Sequence, residues 1–508
     1  MGPPDFQPAS ATAKTPRMYK LLLISKYLRK RRIAWVSLLA VCLCTAMILV
    51  VFSVMGGWLR MFRDSFQGLS GAVIVQSQSL SGFPHYDEMI RRIEKLPTVR
   101  VAAPQIQTFG LINIDNQKNA GVQVIGLEID KIGQINRFPQ SLFRQYQGLI
   151  EAADDSKLDL SQEQRRSLRA QAAENLTKPS FALPLPAAAY DSRFPNRRPG
   201  TTPPSEWSGM IAGAGVLNIR KDETGKIVNR GEFLYRLPTR LTVINVSDRG
   251  TLDLTDKAER NYWIVDDSRT KVWQYDSNTV YVPFDLLQKD LNMAAVENSP
   301  ARTTEIHIAL KPGVKDLMAV RDEVEKIVAA VLEEKGVIMG IPPVVQTWEQ
   351  SQAKWLGAIE KEVALVTTLF SMISVVSVFL IFCIFYMIVA EKTKDIGIIK
   401  SVGATSAGVA VIFIGYGCAI GIAGGAMGLA LGWSVVHNIN YLHQKMGDLL
   451  GIQIWNPEVY AFDTIPNVVD PKSAVIIVGV AIVSSVVGAI IPAMHAARLN
   501  PVDALRFE

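Results

Sequence analysis

The chain is poor in the side chains from which catalytic and metal sites are built. It has four cysteines and five histidines in 508 residues. Cys42, Cys44, Cys383 and Cys418 all fall in long apolar runs, so the polar stretch 56–362 has no disulfide framework. Cys42 and Cys44 are two apart, which on a helix turns them to different faces and argues against a shared metal. His437 and His443 stand six apart, which is no metal-binding spacing either. There is no G-x-x-x-x-G-K-[ST] phosphate loop, no G-x-S-x-G elbow and no H-E-x-x-H pair. The expectation is a chain with no catalytic residues, no metal and no cofactor of its own.

Charge is missing where it matters most. Residues 33–55, 363–390, 407–436 and 473–494 contain no Asp, Glu, Lys or Arg. Each run reaches the roughly 20 apolar residues that cross a bilayer as a helix. The first is longer than the ~7–15 apolar residues of a signal peptide, and no small-residue cleavage site follows it, so it reads as a retained anchor. Ionisable groups at the midplane mark ion-coupled transporters, and their absence argues against proton-coupled transport by this chain alone.

Lysine and arginine orient the four spans. Residues 1–32 carry Lys14, Arg17, Lys20, Lys26, Arg29, Lys30, Arg31 and Arg32 against Asp5. This cluster reads as a flank facing anionic lipid; no nucleic-acid motif accompanies it. The second and third spans are joined by 391–406, which holds Lys392, Lys394 and Lys400. The third and fourth are joined by 437–472, which is predominantly acidic, and the tail 495–508 carries Arg498 and Arg506. The predicted topology places both termini inside the cell, with 56–362 and 437–472 outside.

The outer stretch 56–362 reads as mixed α and β. Strands are predicted at 72–76, 99–114, 122–127, 233–237, 241–246, 262–265, 280–282 and 305–310, and helices at 86–96 and 314–334. Residues 131–206 read as an insertion, with a charged helix over 156–176 and a proline-rich surface loop over 178–204. The fold class is therefore membrane α-helical with four spans plus an α+β extracytoplasmic domain. In the third span Gly417, Gly421 and Gly425 recur every four residues, as do Gly424, Gly428 and Gly432. Such spacing brings helix backbones together. It leaves open whether the partner is a helix of this chain or of another subunit.

The segment 391–405 reads EKTKDIGIIKSVGAT. Glu391, Lys392, Thr393, Lys394 and Asp395 precede the apolar Ile396, Gly397, Ile398 and Ile399; Lys400 follows, and Gly403 can end the turn. A short amphipathic helix here would suit docking on a soluble partner. The plainer alternative is a tight turn with solvated charges. The segment closely resembles the coupling-helix motif of ABC-transporter permeases of the MacB/FtsX/LolC–LolE superfamily. The ending PAMHAARLNPVDALRFE at 492–508 resembles the close of the same family. YLRKRR at 27–32, YDSNTVYVPFDLLQ at 275–288, TWEQSQAKWLGAIEKE at 347–362 and VYAFDTIPNVVD at 459–470 resemble stretches of the lipoprotein-releasing permeases LolC and LolE. Residues 131–206 and the start 1–16 have no counterpart, and 246–260 lacks the proline pattern of the hairpin that recruits a periplasmic carrier in LolC.

The resemblance implies a type VII ABC transporter-like architecture. ATP and Mg would be bound by a separate cytoplasmic ATPase, two copies of which would serve a pair of permease chains. Force would enter at 391–400 and pass along a continuous stalk through 348–362. Lipoproteins would be squeezed from the outer face, their acyl chains entering near Val51, Phe52, Val54, Met55, Val363, Val366 and Leu369. The rival expectations are a MacB-like exporter of small molecules or peptides, an FtsX-like regulator of cell-wall hydrolases, and a membrane-anchored binding protein without an ATPase.

Overall fold

The computed structural model describes residues 32–114, 118–156, 158–182, 206–217, 235, 238–246, 252–270, 272–297, 299–450, 455, 462 and 464–500. Residues 27–31 of the YLRKRR stretch, most of the proline-rich loop and the tail from 501 lie outside these residues, as does most of the strand expected at 233–237. The chain divides into two compact units. One takes residues up to 60, 358–452 and from 465 on; the other takes 61–357 and 453–464.

The helical unit holds the apolar runs. Among the described residues four helices are long and apolar enough to cross a membrane. They are α1 (Arg32–Leu69), α5 (Ala353–Glu391), α7 (Ser406–His437) and α9 (Pro471–Arg498). Each outruns its predicted apolar core, because helix propagates into polar residues once nucleated. The stretch 437–472 is not wholly loop: it contains α8 (Ile439–Leu450), pinned where Asn440 exchanges two hydrogen bonds of 2.9 Å with the Ile465 backbone.

Packing in this unit is set by the glycines of α7. A methyl group on Gly417 would come 2.7 Å from Ala489 Cβ, and one on Gly421 would come 2.9 Å from Ile482 Cα, both on α9. A methyl group on Gly428 would come 2.6 Å from Cys42 O, and one on Gly432 would come 3.1 Å from Ala46 O, both on α1. The row Gly417, Gly421, Gly425 thus lies on α9, and the row Gly424, Gly428, Gly432 lies on α1. Both rows pack against helices of this chain. Gly488 of α9 admits α5 in the same way, facing Val378 O and Ile381.

The second unit is built on a mixed sheet. Its strands are β1 (Val73–Gln76), β3 (Val99–Ile114), β4 (Lys118–Leu127), β5 (Ser208–Gly213), β6 (Pro238–Val246), β7 (Leu252–Ser268), β8 (Thr279–Pro283), β10 (Glu305–Leu310) and β11 (Val344–Thr347). The short β2 (Phe83–Pro84) and β9 (Arg302–Thr303) pair separately. The main order is β11-β1-β10-β3-β4-β8-β5-β7-β6, and β6 also pairs with β3. The long β3 makes this possible. On one edge it pairs with β10 over 99–105 and with β6 over 110–114; on the other it carries β4 over 105–114. The run from β3 to β6 therefore closes into a ring, which removes the exposed edges of an open sheet.

Alternation along β4 separates two cores. Val122 and Val124 join the core that also takes α2 (Tyr86–Ile93) and α4 (Leu317–Glu334) through Met89, Ile93, Val320, Val324 and Val331. Ile125 and Leu127 face the other way, with Ile132, Phe138, Leu142 and Phe181. The described part of 131–206 is thus a packed cover rather than a surface excursion. Its charged helix, α3 (Gln162–Thr177), begins six residues later than expected, where Ser161 and Gln164 form a capping box. Likewise α2 stops at Ile93, and α4 begins at Leu317 because the Asp316 side chain caps Ala319 N–H at 3.0 Å.

The cover is held by buried charge. Asp266 of β7 accepts from Arg144 N–H at 2.7 Å and from the Gln145 amide at 3.1 Å, at the start of the π-helical turn Phe143–Gln147. Beside it, Asp267 accepts from Arg269 Nε at 2.7 Å and from the Tyr235 hydroxyl. Burial, and then the neighbouring Asp267 charge, push the Asp266 carboxyl up to about 7, against the pull of its N–H donors.

Candidate functional site

The segment singled out in the sequence folds as predicted into a short helix, α6 (Thr393–Ser401), between α5 and α7. Lys392 Nζ pairs with Asp395 at the start of α6, so two of its charges are spent on local structure. The Thr393 hydroxyl donates back to Ala390 O at 2.9 Å. Gly403 takes φ of 102°, a left-handed value that ends the helix, and Thr405 caps α7 by accepting from Gly408 N–H at 3.1 Å.

The two faces of α6 differ. Ile396 and Gly397 are buried against the helical unit, and Ile399 and Lys400 are half-buried. Lys400 reaches the end of α9, where Nζ donates to Ala497 O at 2.8 Å and Leu499 O at 2.7 Å. These carbonyls close the C-terminal end of α9, where a cation is favoured. On the other face Glu391, Lys394, Ile398 and Val402 are exposed, at the i, i+3, i+7, i+11 spacing of one helical stripe. Ile398 is 51% and Val402 84% exposed. Val402 extends this face beyond the predicted residues; its proximity to Ile398 at i+4 was the available signal. Of the predicted set, Gly397 supports the helix from behind rather than forming its outer face.

An apolar cleft of about 290 Å³ lies elsewhere in the helical unit, between α1, α5 and α9. It is lined by Val41, Thr45, Phe52, Phe370, Ser374 and Ile477 among others. Of the seven residues expected to meet acyl chains, Phe52 alone lines it. Leu369 is exposed, and Val51, Val54, Met55, Val363 and Val366 are half-buried outside the cleft. No spacing in the sequence pointed to its position. The expected unbroken stalk is also interrupted: Trp348–Ser351 is a separate helical turn, and Gln352 breaks the path before α5 starts. The hairpin joining β6 and β7 lies where the carrier-recruiting hairpin was sought, but its tip, 247–251, is outside the described residues.

Among the described residues no group of three His, Cys, Asp or Glu could hold a metal ion.

The FtsX-like permease C-terminal family model matches residues 367–501, and the MacB-like periplasmic core domain model matches 34–156. The lipoprotein-releasing system transmembrane protein LolC of Neisseria meningitidis serogroup B is 30% identical over 168 residues, 32% of this chain and 40% of that protein. LolE of Haemophilus influenzae is 29% identical over 119 residues, 23% of this chain and 29% of its own length. These alignments span less than half of either relative. The periplasmic region of MacB from Actinobacillus actinomycetemcomitans aligns over 57% of this chain and 94% of its own, at 7% identity and a TM-score of 0.28, a likeness too loose to bear on the fold. Two family models on separate stretches, and partial relatives of the same kind, make this chain a member of the MacB/FtsX/LolC–LolE superfamily of ABC-transporter permeases.

Proposed function

We propose that the chain is the multi-pass permease subunit of an inner-membrane ABC transporter that releases lipoproteins from the outer face of that membrane. A separate cytoplasmic ATPase would bind ATP and Mg and dock on α6. The observation that carries this reading is the division of labour on α6. Lys394, Ile398 and Val402 are left outward, while Lys400 fastens the helix to α9. A push on the outer stripe is thereby delivered to α5, α7 and α9 together. Both termini and α6 would face the cytoplasm, and the sheet unit would lie outside. Four spans enclose little volume, so a second permease chain and two ATPase subunits complete the machine.

The cleft between α1, α5 and α9 favours an acylated cargo. Its walls are mostly apolar, and its hydroxyls are partly spent on their own helices: the Thr45 hydroxyl donates to Val41 O at 2.7 Å, and the Ser371 hydroxyl to Thr367 O at 2.8 Å. An acyl chain gains about 0.8 kcal/mol for each buried CH₂, but in the membrane it starts from lipid. The cleft therefore guides the chain rather than extracting it, and the work falls to the ATPase.

The test is purification of the tagged full chain in mild detergent, with mass spectrometry of what accompanies it and assay of ATP hydrolysis. Co-purification of an ATPase, its loss in Ile398→Glu, and an acylated protein in the wild-type sample are the expected results. An unaltered set of partners in Ile398→Glu removes α6 as the docking element. A co-purifying ATPase whose activity no acylated protein alters removes lipoprotein release but keeps the permease.

A further inference from the structure

The sheet unit contains a cavity of about 290 Å³ that the reading above does not use. Its polar end is Glu305 on β10, a buried side chain. Gln76 Nε2 donates to Glu305 Oε1 at 2.9 Å, and Gln105 Nε2 to Oε2 at 3.3 Å. His307 Nε2 stands 2.8 Å from the same Oε2. The Gly71 N–H is directed at His307 Nδ1 at 3.1 Å. Nδ1 must therefore present its lone pair, so the ring hydrogen sits on Nε2 and the imidazole is neutral. All three donors on this carboxylate are uncharged.

A buried carboxylate ordinarily has a cationic partner. The one lysine in the lining, Lys354, is exposed and makes no ion pair with Glu305. With an amide nitrogen of each committed to Glu305, Gln76 and Gln105 have mainly acceptor oxygens left to offer. The Tyr275 side chain also lines the cavity, and its hydroxyl makes no hydrogen bond to a described residue. Burial first, and Glu305 second, push this phenol up to about 12, so it stays neutral. The rest of the lining is mixed: Ile125, Leu127 and Phe138 form an apolar patch, and Ser70, Gln107, Asn136, Ser351 and Gln352 add polar groups. An acceptor-rich anionic end beside the apolar patch of Ile125, Leu127 and Phe138 suits a donor-rich cation with a small hydrocarbon body.

We propose that this cavity binds a small primary organic ammonium ion, with its charge on Glu305 and its apolar body against Ile125, Leu127 and Phe138. The lining also takes in Leu69 at the end of α1 and Trp355 in the first turn of α5.

The experiment is isothermal titration calorimetry on the full chain in detergent micelles, with protein-free micelles as the blank. The probe is phenethylammonium chloride, and 2-phenylethanol is the neutral control of the same shape. Phenethylammonium should bind, and the alcohol should bind at least about tenfold more weakly. Glu305→Gln keeps the outline and removes the charge, and should weaken the ammonium about tenfold or more. Tyr275→Phe should weaken it by a smaller factor, about threefold, without unfolding, because that hydroxyl holds no protein group. Circular dichroism shows whether Glu305→Gln is folded; if it is not, Tyr275→Phe and the alcohol decide. No binding up to about 10 mM, equal binding of the alcohol, or full affinity in folded Glu305→Gln would overturn the proposal.

Discussion

Lys400 and Leu499 are joined across 99 residues of sequence, with the lysine ammonium 2.7 Å from the leucine carbonyl oxygen. The same ammonium holds Ala497 O. One side chain thus fastens the helix proposed to receive force to the end of a membrane helix.

Replacing that ammonium should uncouple rather than unfold. Lys400→Met keeps the aliphatic stem and removes two charge-assisted hydrogen bonds, each worth about 1.5–3 kcal/mol at most. The ATPase should still co-purify, and its hydrolysis should no longer drive release. Assay of both quantities on one preparation checks this; loss of co-purification instead would mean that Lys400 itself touches the partner.

Gly428 and Gly425 of α7 should respond unequally to alanine. At Gly428 a Cβ would lie 2.6 Å from both Cys42 O and Thr45 Cβ, where backbone must shift. At Gly425 the nearest atom would be Val478 Cγ1 at 3.4 Å, an ordinary contact. Gly428→Ala should therefore cost about 1–3 kcal/mol through overpacking, and Gly425→Ala little or nothing. Thermal melting in detergent compares them directly, and equal melting temperatures would contradict the assignment of the rows.

The buried Asp266 predicts a pH dependence. Its folded value, about 7, lies above its ordinary 3.8, so the folded state holds the proton longer. Stability from this group is greatest at low pH, falls as pH rises toward 7 and is level above. A shift of about three units sets an upper limit of roughly 4 kcal/mol on the loss. In differential scanning measurements the wild type should lose ground relative to Asp266→Asn between pH 5 and 8. A constant offset between the two would exclude Asp266 as the titrating group.

The cleft can be filled to test the cargo. Ile477→Trp adds bulk to a wall lined by Phe52 and Phe370. Release of lipoprotein should fall several-fold while ATPase co-purification is kept. The same change in Val363, which lies outside the cleft, should have a smaller effect; the reverse order would return the acyl path to the residues expected from the sequence.

What the sequence disclosed follows from periodicity. The apolar runs, the alternation of β3 and the 391–405 segment are local signals, and each appears in the structure near its expected place. What it hid depends on distant partners. The strand β7 was expected only over 262–265, because Lys257, Glu259 and Arg260 make a poor strand sequence; pairing with β6 across a hairpin overrides that preference. The ring closes through contacts such as Gly110 with Val243, which no local pattern announces. His307 and Gly71 lie 236 residues apart. The helix α6 was legible, but its inner and outer faces were not, since Lys400 reads like any other solvated charge until Leu499 is beside it.

The glycine rows also restrict how the chain can change in length. Inserting a single residue into α7 between Gly421 and Gly424 would turn everything after it by about 100°. The row meant for α1 would then present bulky side chains to it, and Gly425 would leave α9, while Gly417 and Gly421 stayed in place. Deletion would do the same in the opposite sense. The connections and the ends of the other helices can absorb such events, but the middle of α7 cannot, so in variants of this protein it is the stretch in which insertions and deletions should be least tolerated.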